Sequence, residues 1–539
     1  MGQGARVSWR RRSVLAAGVA LVAGCEQRPA THPAVAGAQW LGAAHARGHR
    51  LRTARSGAPP APAVQRRTDV LVIGAGIAGL AAARALQREG VGDLALLELE
   101  DQPGGNSRGH ALGGLSCPLG AHYLPVPGDA AHEVRDWLQQ IGLMSLRAGR
   151  WVADERHLCH SPQERLFFDG AWHEGLLPPA EPGSATLEQY RAFAQRVAAA
   201  QRLGFALPTQ RARWTAEHAA LDAVTFVDWL TRERLVDERL RWYLDYACRD
   251  DYGAGLGEVS AWAGLHYFAS RHGFDAPGDG DGARDAVFTW PEGNAWLVER
   301  LAAPLRDRLH GGRTVLRMAQ TRDGVDALAW DESSGRAEAW HARAVLLCVP
   351  LFVAARLIDQ PSDALRAAAA QQPHAPWLVA NLQLRAPLLD RGIGAPAAWD
   401  NVRYGGGALG YVDAGHQRLS PLPQPTVLTT YWALPRAQRG ALLDGSAASW
   451  AQQVVDELLP LHPDLPEKLE RIVLMRYGHA MSIPVPGLRS SPALAALARS
   501  DGRVRFAHSD LSAYSIFEEA FTHGDSAGTR LARWLRAAA

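Results

Sequence analysis

The chain has 539 residues, enough for two to four domains or one large interleaved unit. Hydrophobic residues make up 47% and the formal net charge is +2, so the composition suits a globular protein with a sizeable core and implies no polyanionic partner. No nucleic-acid motif is visible. The five cysteines, Cys25, Cys117, Cys159, Cys248 and Cys348, show no CxxC pair and no metal spacing, and the last four read as buried thiols rather than disulfides.

Arg10-Arg11-Arg12 leads into an apolar stretch over 14–24, eleven residues long, where a spanning helix needs about 20. The paired arginines resemble a twin-arginine export signal, and Leu21-Val22-Ala23-Gly24-Cys25 resembles a lipobox. That resemblance implies export of an already folded protein, lipidation of Cys25 and a periplasmic location with membrane attachment through the lipid. The alternative is a short uncleaved anchor. Residues 26–66 are rich in Ala, Pro, Gly and Arg without apolar periodicity, which predicts a flexible tether.

The stretch 69–105 organises the rest. An apolar run, 70–73, is short enough for a buried strand. It runs into Gly74, Gly76 and Gly79, spaced G-x-G-x-x-G, and then into an Ala-rich helical pattern over 80–89 that ends at Gly90. A second apolar run, 94–97, is followed by Glu98, nineteen residues after the last glycine. Strand, turn, helix, strand and acid at this spacing form a dinucleotide-binding unit. Gly74 permits the tight turn, Gly76 lets a pyrophosphate approach the backbone, and Gly79 lets the helix pack on the sheet. The helix N-terminus, at Ala75, Ile77 and Ala78, offers free N–H groups to phosphates, and Glu98 can accept hydrogen bonds from an adenosine ribose.

The acid continues as Glu98-x-x-Asp101-x-Pro103-Gly104-Gly105, followed by Asn106. This resembles the FAD signature of the flavin amine oxidase, protoporphyrinogen oxidase and phytoene desaturase superfamily. The resemblance implies FAD and an α/β fold: a Rossmann-like FAD domain of the GR2 type interleaved with an α+β substrate domain. The FAD is expected to be non-covalent, because the last cysteine is Cys348 and none lies near the C-terminal closing segment. It also implies that Gly120, Ala121, His122 and Tyr123 lie along the flavin ring, with His122 and Tyr123 able to face the reaction site or simply to pack.

Further on, 131–143, 187–203 and 225–246 have helical patterns, with Thr225 and Asp228 placed as a capping box. Asp169-Gly170 marks a hairpin turn. The polar and aromatic stretches 249–253 and 260–267 suit a cavity wall, though His266 itself reads as core. Residues 294–309 read as a helix, entered by a turn in which Asn294 replaces the superfamily's second glycine, and 342–349 as a buried strand. Strand patterns at 377–384, 426–434 and 471–477, with an amphipathic helix over 447–459, predict an antiparallel substrate sheet.

Residues 503–510, Arg-Val-Arg-Phe-Ala-His-Ser-Asp, and 518–520, Glu-Glu-Ala, resemble the superfamily's closing segment. By that resemblance Ser509 or Asp510 bonds the ribityl chain, and Glu518 and Ala520 open a helix aimed at the flavin. His508 and Glu519 stand where glycines are expected. Two amine-oxidase features are missing. No lysine lies on the strand at 376–379, since the chain's one lysine is Lys468, and the position two residues before Glu518 is Ile516 rather than an aromatic. Tyr514 is the nearest tyrosine, and His479, in an otherwise apolar run, is a candidate base or orienting group.

The chain therefore divides into a signal (1–25), a tether (26–66), FAD-domain parts (67–130, 286–350 and 476–539), a helical cap region (131–285) and a substrate sheet (351–475). The expected function is FAD-dependent, amine oxidase-like oxidation of a small organic substrate. The acceptor is oxygen or, alternatively, a redox partner protein or quinone. The rival readings are a desaturase-like enzyme on an apolar substrate and a non-catalytic FAD-binding scaffold.

Overall fold

A computed structural model describes residues 31–42, 44–53, 59–279, 286–418 and 422–537. The segment expected to carry the export signal lies outside them. None of the described helices is long and apolar enough to cross a membrane.

The first sheet is built on the strand Pro62–Ile73. Its outer half alternates between exposed and covered residues, and its end, 70–73, is fully buried. That change marks passage from an edge into the centre of a parallel sheet covered on both faces. It pairs in parallel with Leu94–Leu97 on one side and Arg336–Leu347 on the other. Arg336–Leu347 is long enough to serve two partners along its other edge. Its first half pairs antiparallel with Val325–Asp331, and its last residues pair in parallel with Val504–Phe506. Sequence-distant strands thus end side by side at the glycine turn.

The helix Ile77–Arg88 packs along the C-terminal helix Phe517–Ala537. The crossing is glycine-lined: a Cβ at Gly524 would lie 2.1 Å from the Ala78 carbonyl oxygen, and one at Gly528 would lie 2.5 Å from that of Ala82. Arg88 closes the contact with two hydrogen bonds to Asp525, at 2.9 and 2.8 Å.

The second sheet has eight strands among the described residues, centred on His374–Leu384 between Thr426–Ala433 and Leu469–Ser482. The expected hairpin is present as Glu164–Phe168 and Ala171–Glu174. Its turn residues Asp169 and Gly170 both have positive φ, as a two-residue hairpin turn requires. This hairpin joins the substrate sheet through Asp400–Arg403 instead of staying with the cap. The boundary placed at 475 falls inside the strand Leu469–Ser482, so one strand carries the chain from the substrate sheet back toward the first domain.

The pattern over 225–246 is two helices rather than one, Phe226–Arg232 and Glu238–Tyr252. Arg234 takes a left-handed conformation, and Asp237 starts the second helix by accepting from the Leu240 N–H. The helix expected over 294–309 runs only over Ala295–Ala302. Pro304 has no N–H to give, and a 3-10 turn follows.

Residues 31–42 and 44–53 overturn the tether expectation for those parts of 26–66. Ala34 and Val35 are buried in the core under the substrate sheet, and Gln39–Trp40 add a parallel strand to the edge strand Leu469–Ser482. The helix His45–Thr53 then crosses to the first domain. Patterning missed this because the segment is buried only against distant parts of the chain.

Gly528→Val should destabilise the fold by about 3 kcal/mol through overpacking at the helix crossing. Gly440→Ala, with open space around it, should be neutral or slightly stabilising. Thermal unfolding of the two variants checks this pair.

Candidate active site and cofactor cavity

One continuous cavity runs from the glycine turn to the substrate sheet. The predicted residues Gly74, Gly76, Ile77, Ala78, Glu98, Gly104, Gly105, Asn106, Gly120, Ala121, His122, Ser509, Asp510, Glu518 and Ala520 all line it. Ala75 and Gly79 stand directly behind. The Ala75 N–H donates to Glu98 Oε2 at 2.7 Å, and a Cβ at Gly79 would sit 1.9 Å from the Gly74 carbonyl oxygen. The other Glu98 oxygen accepts from the Glu100 N–H at 3.0 Å, and burial raises the carboxyl's pKa despite these bonds.

The middle of the cavity is a knot of four segments. Ala121 N–H donates to the Asn106 carbonyl at 2.8 Å, and Asn294 N–H to the Ala121 carbonyl at 3.0 Å. Asn106 Nδ2 donates to the Ala480 carbonyl at 2.7 Å, and Tyr477 to the Leu119 carbonyl at 2.8 Å. A Cβ at Gly120 would lie 2.1 Å from the Asn106 carbonyl oxygen, so no other residue fits there. Asn294, the departure from the expected glycine, sends Nδ2 to the Tyr123 carbonyl at 2.9 Å and leaves its buried Oδ1 without a partner among the described residues, on the cavity wall.

Residues 77–532 match the family described as flavin containing amine oxidoreductase. The chain belongs to that family. AofH of Mycobacterium tuberculosis, which bears the name of a flavin-containing monoamine oxidase, is 27% identical over 285 residues, 52% of this chain and 57% of that protein. The match therefore spans about half of the relative. Two solved structures share the fold. Cyclohexylamine oxidase from Brevibacterium oxydans is 17% identical with a TM-score of 0.66, covering 87% of this chain and 99% of its own. Putrescine oxidase bound to putrescine is 17% identical with a TM-score of 0.63, covering 88% and 100%.

The amine oxidoreductases of this family carry FAD, and the cavity fits it. At Gly76 only the Gly105 Cα comes within 4 Å of where a Cβ would stand, at 3.9 Å, which leaves the cleft between the two glycines open for a pyrophosphate. The orphaned Asn294 oxygen is an acceptor in need of a donor, as a flavin ring N–H would supply.

Beyond the knot the cavity becomes aromatic and acidic. His122 stacks on Tyr431 at 4.1 Å, with Trp399 5.5 Å away, and burial pushes its imidazole down to about 3, so it stays neutral. Tyr123 donates to Asp250 Oδ2 at 3.3 Å. Burial and the charge of neighbouring Asp251 raise the Asp250 carboxyl to about 7. The hydroxyl of Tyr431 and the indole N–H of Trp377 are buried on the same lining without partners among the described residues. The stretch 249–253 is thus the expected cavity wall, and His266 is core, with Nε2 2.9 Å from the Ala206 carbonyl.

The predicted catalytic residues do not converge. His122 and Tyr123 share the Asp250 side. His479 lies at the rim beside Phe352 and His374, at ring distances of 4.7 and 6.2 Å, and partial burial with nearby Arg439 pushes it down to about 4. Tyr514 is not on the lining at all. It is buried behind the wall, bonded to Asp251 and accepting from Arg271 at 2.9 Å. Its role is to hold the Asp251–Arg271 pair, because a hydroxyl committed to two charged partners has nothing left to offer a ligand.

At the other end, Asp510 accepts from the Leu351 N–H at 2.9 Å and faces His374 Nε2 at 3.2 Å. Burial alone would raise its carboxyl, but His374 and His508 hold it well below the usual range. Glu519 occupies its unexpected position by bonding away from the cavity, to Ser512 at 2.6 Å and to the Thr209 N–H. Lys468 is far from the site, paired with Asp464 at 2.8 Å. Sequence reasoning missed Arg271, Trp377 and Tyr431, whose local sequences carry no motif.

Gly120→Ala should yield folded protein with at least about tenfold weaker flavin binding, since a methyl placed on a carbonyl oxygen must displace the knot. The ratio of flavin to protein absorbance after purification measures it.

Proposed function

We propose that the chain oxidises an amine, with Asp250 as the group that receives the substrate's positive charge. The observation that carries this reading is a carboxylate on the cavity lining, bonded to Tyr123 and set beside the aromatic stack of His122 and Tyr431. A buried carboxylate in an aromatic enclosure is stabilised by a cation, and an ammonium group supplies one. When bound, FAD supplies a two-electron acceptor. Asp250 Oδ2 orients the ammonium and takes its proton, which frees the nitrogen lone pair needed to expel hydride from the adjacent carbon. Neutral His122 packs against the substrate without competing as a cation, and Tyr123 fixes the carboxylate's direction. The naming of cyclohexylamine and putrescine oxidases among the fold neighbours supports the amine class without choosing a member of it.

Proton acceptance requires ionised Asp250. Its raised pKa therefore places an acid limb near pH 7, with kcat/KM falling about tenfold per unit below it. Asp250→Asn should lower kcat/KM at least about a hundredfold and abolish that limb, and a persisting limb would reject the assignment. Anaerobic mixing with an amine panel should bleach the flavin absorbance. A flavin that no amine, amino acid or polyene bleaches would favour a scaffold role.

We also propose export by the twin-arginine route, lipidation at Cys25 and a periplasmic location on a membrane, with a quinone or redox protein as the alternative acceptor to oxygen. The support is the sequence of residues 10–25. Cys25→Ser should move the protein from the membrane pellet to the soluble fraction. Fast reoxidation of the reduced flavin by oxygen in stopped flow would remove the need for another acceptor.

A further inference from the structure

We infer that the N-terminal arm, described over residues 32–42 and 44–53, is part of the cofactor site: a strap that closes the adenosine end of the cavity and slows release of FAD. The inference rests on FAD binding in this cavity and goes beyond the family match, which begins at residue 77.

The arm is fastened at both ends. On the substrate side, His32 Nε2 lies 2.9 Å from the Pro466 carbonyl, the Leu41 N–H donates to the Leu474 carbonyl at 2.7 Å, and Arg476 stacks over Trp40 at 4.5 Å. At the crossing, Gly42 fits against the Met475 sulfur, where a Cβ would lie 2.5 Å from Sδ, and its carbonyl accepts from Arg108 at 3.0 Å. On the far side the arm binds the segment just after Glu98. The Ala44 N–H donates to Glu100 Oε1 at 2.9 Å, and Arg47 donates to the Leu99 carbonyl at 3.0 Å and to Asp101 Oδ1 at 2.8 Å. Leu51 then turns inward. It is 7% exposed, packs with Leu97, Val315 and Leu357, and lines the cavity itself.

Glu98 is the acid placed to hold the adenosine ribose, so an arm anchored on 99–101 with a leucine in the cavity wall stands over that part of the ligand. Three consequences follow from the geometry. FAD must enter before the arm docks or while it is lifted. A docked arm adds an apolar wall that the ligand buries. By linkage, bound FAD must strengthen arm docking by the same factor by which the arm strengthens FAD binding. A chain that folds around its cofactor before leaving the cytoplasm would gain a lock of this kind.

The test is the rate of FAD release from purified holoprotein, followed as the rise in flavin fluorescence, in wild type, in a truncation lacking residues 1–53, and in the double variant Leu51→Ser with Arg47→Ala. Release should be at least about tenfold faster in both variants, the change expected from losing one buried leucine and its anchor. Trypsin should cut at Arg47, Arg50 and Arg52 more slowly in holoprotein than in apoprotein. Release within twofold of wild type in the double variant overturns the inference, even if its melting temperature falls, because a purely structural arm would move stability alone. If the truncation does not fold, the double variant decides. If wild type purifies without flavin, the cofactor assignment fails instead.

Discussion

The structure depends on how closely two helices approach. Ile77–Arg88 and Phe517–Ala537 come from the two ends of the chain, and they meet at Gly524 and Gly528 because any Cβ there would strike the backbone of the first helix. That contact fixes where the C-terminal helix begins. Its N-terminus, at Phe517 and Glu518, therefore opens onto the cavity that the glycine turn lines from the other side. The Arg88–Asp525 pair holds the axial register, with Asp525 almost fully buried, so slippage would strand a charge in the core. The cavity is a consequence of this docking rather than of either segment alone.

Within the cavity, polarity is divided along its length. The glycine turn and helix N-termini supply N–H groups suited to phosphate. The knot around Gly120 presents backbone and the unpaired Asn294 oxygen. The far end is aromatic with a carboxylate; exclusion of water keeps its histidine neutral and, together with the neighbouring Asp251 charge, raises Asp250. Asp251 is held from both sides, by Arg271 on the lining and by Tyr514 buried behind it. The same logic explains Glu519. A carboxylate at a position expected to be glycine is tolerated because Ser512 and the Thr209 N–H draw it away from the ligand and tie the cap to the C-terminal helix.

The N-terminal arm joins the two sheets from outside. Its strand Gln39–Trp40 completes an edge of the substrate sheet that would otherwise offer unpaired backbone groups. Its helix rests on the strand end that carries Glu98. An element with no apolar period of its own thus becomes ordered by contacts that each lie more than fifty residues away in sequence.

The residues of the glycine unit were legible because their constraints are local. Gly74, Gly76, Gly79, Glu98, Gly104 and Gly105 sit at spacings set by one turn, one helix and one strand, and Asp169-Gly170 is a turn whose backbone needs those two residues. The closing segment was legible through resemblance at Phe506 and Ala507. Asp250 could be placed on a cavity wall by its polar and aromatic neighbours, but not assigned its carboxyl's environment. Arg271, Trp377 and Tyr431 were invisible, since nothing near them in sequence differs from an ordinary helix end or buried strand. Tyr514 was misjudged for the same reason: proximity to a motif does not say which way a side chain points. What the sequence determined by itself is the nucleotide-binding half, where backbone geometry selects residue types. Tertiary structure alone decided the substrate end and the arm, because burial, charge pairing and pKa depend on which distant segments come to lie within a few ångströms.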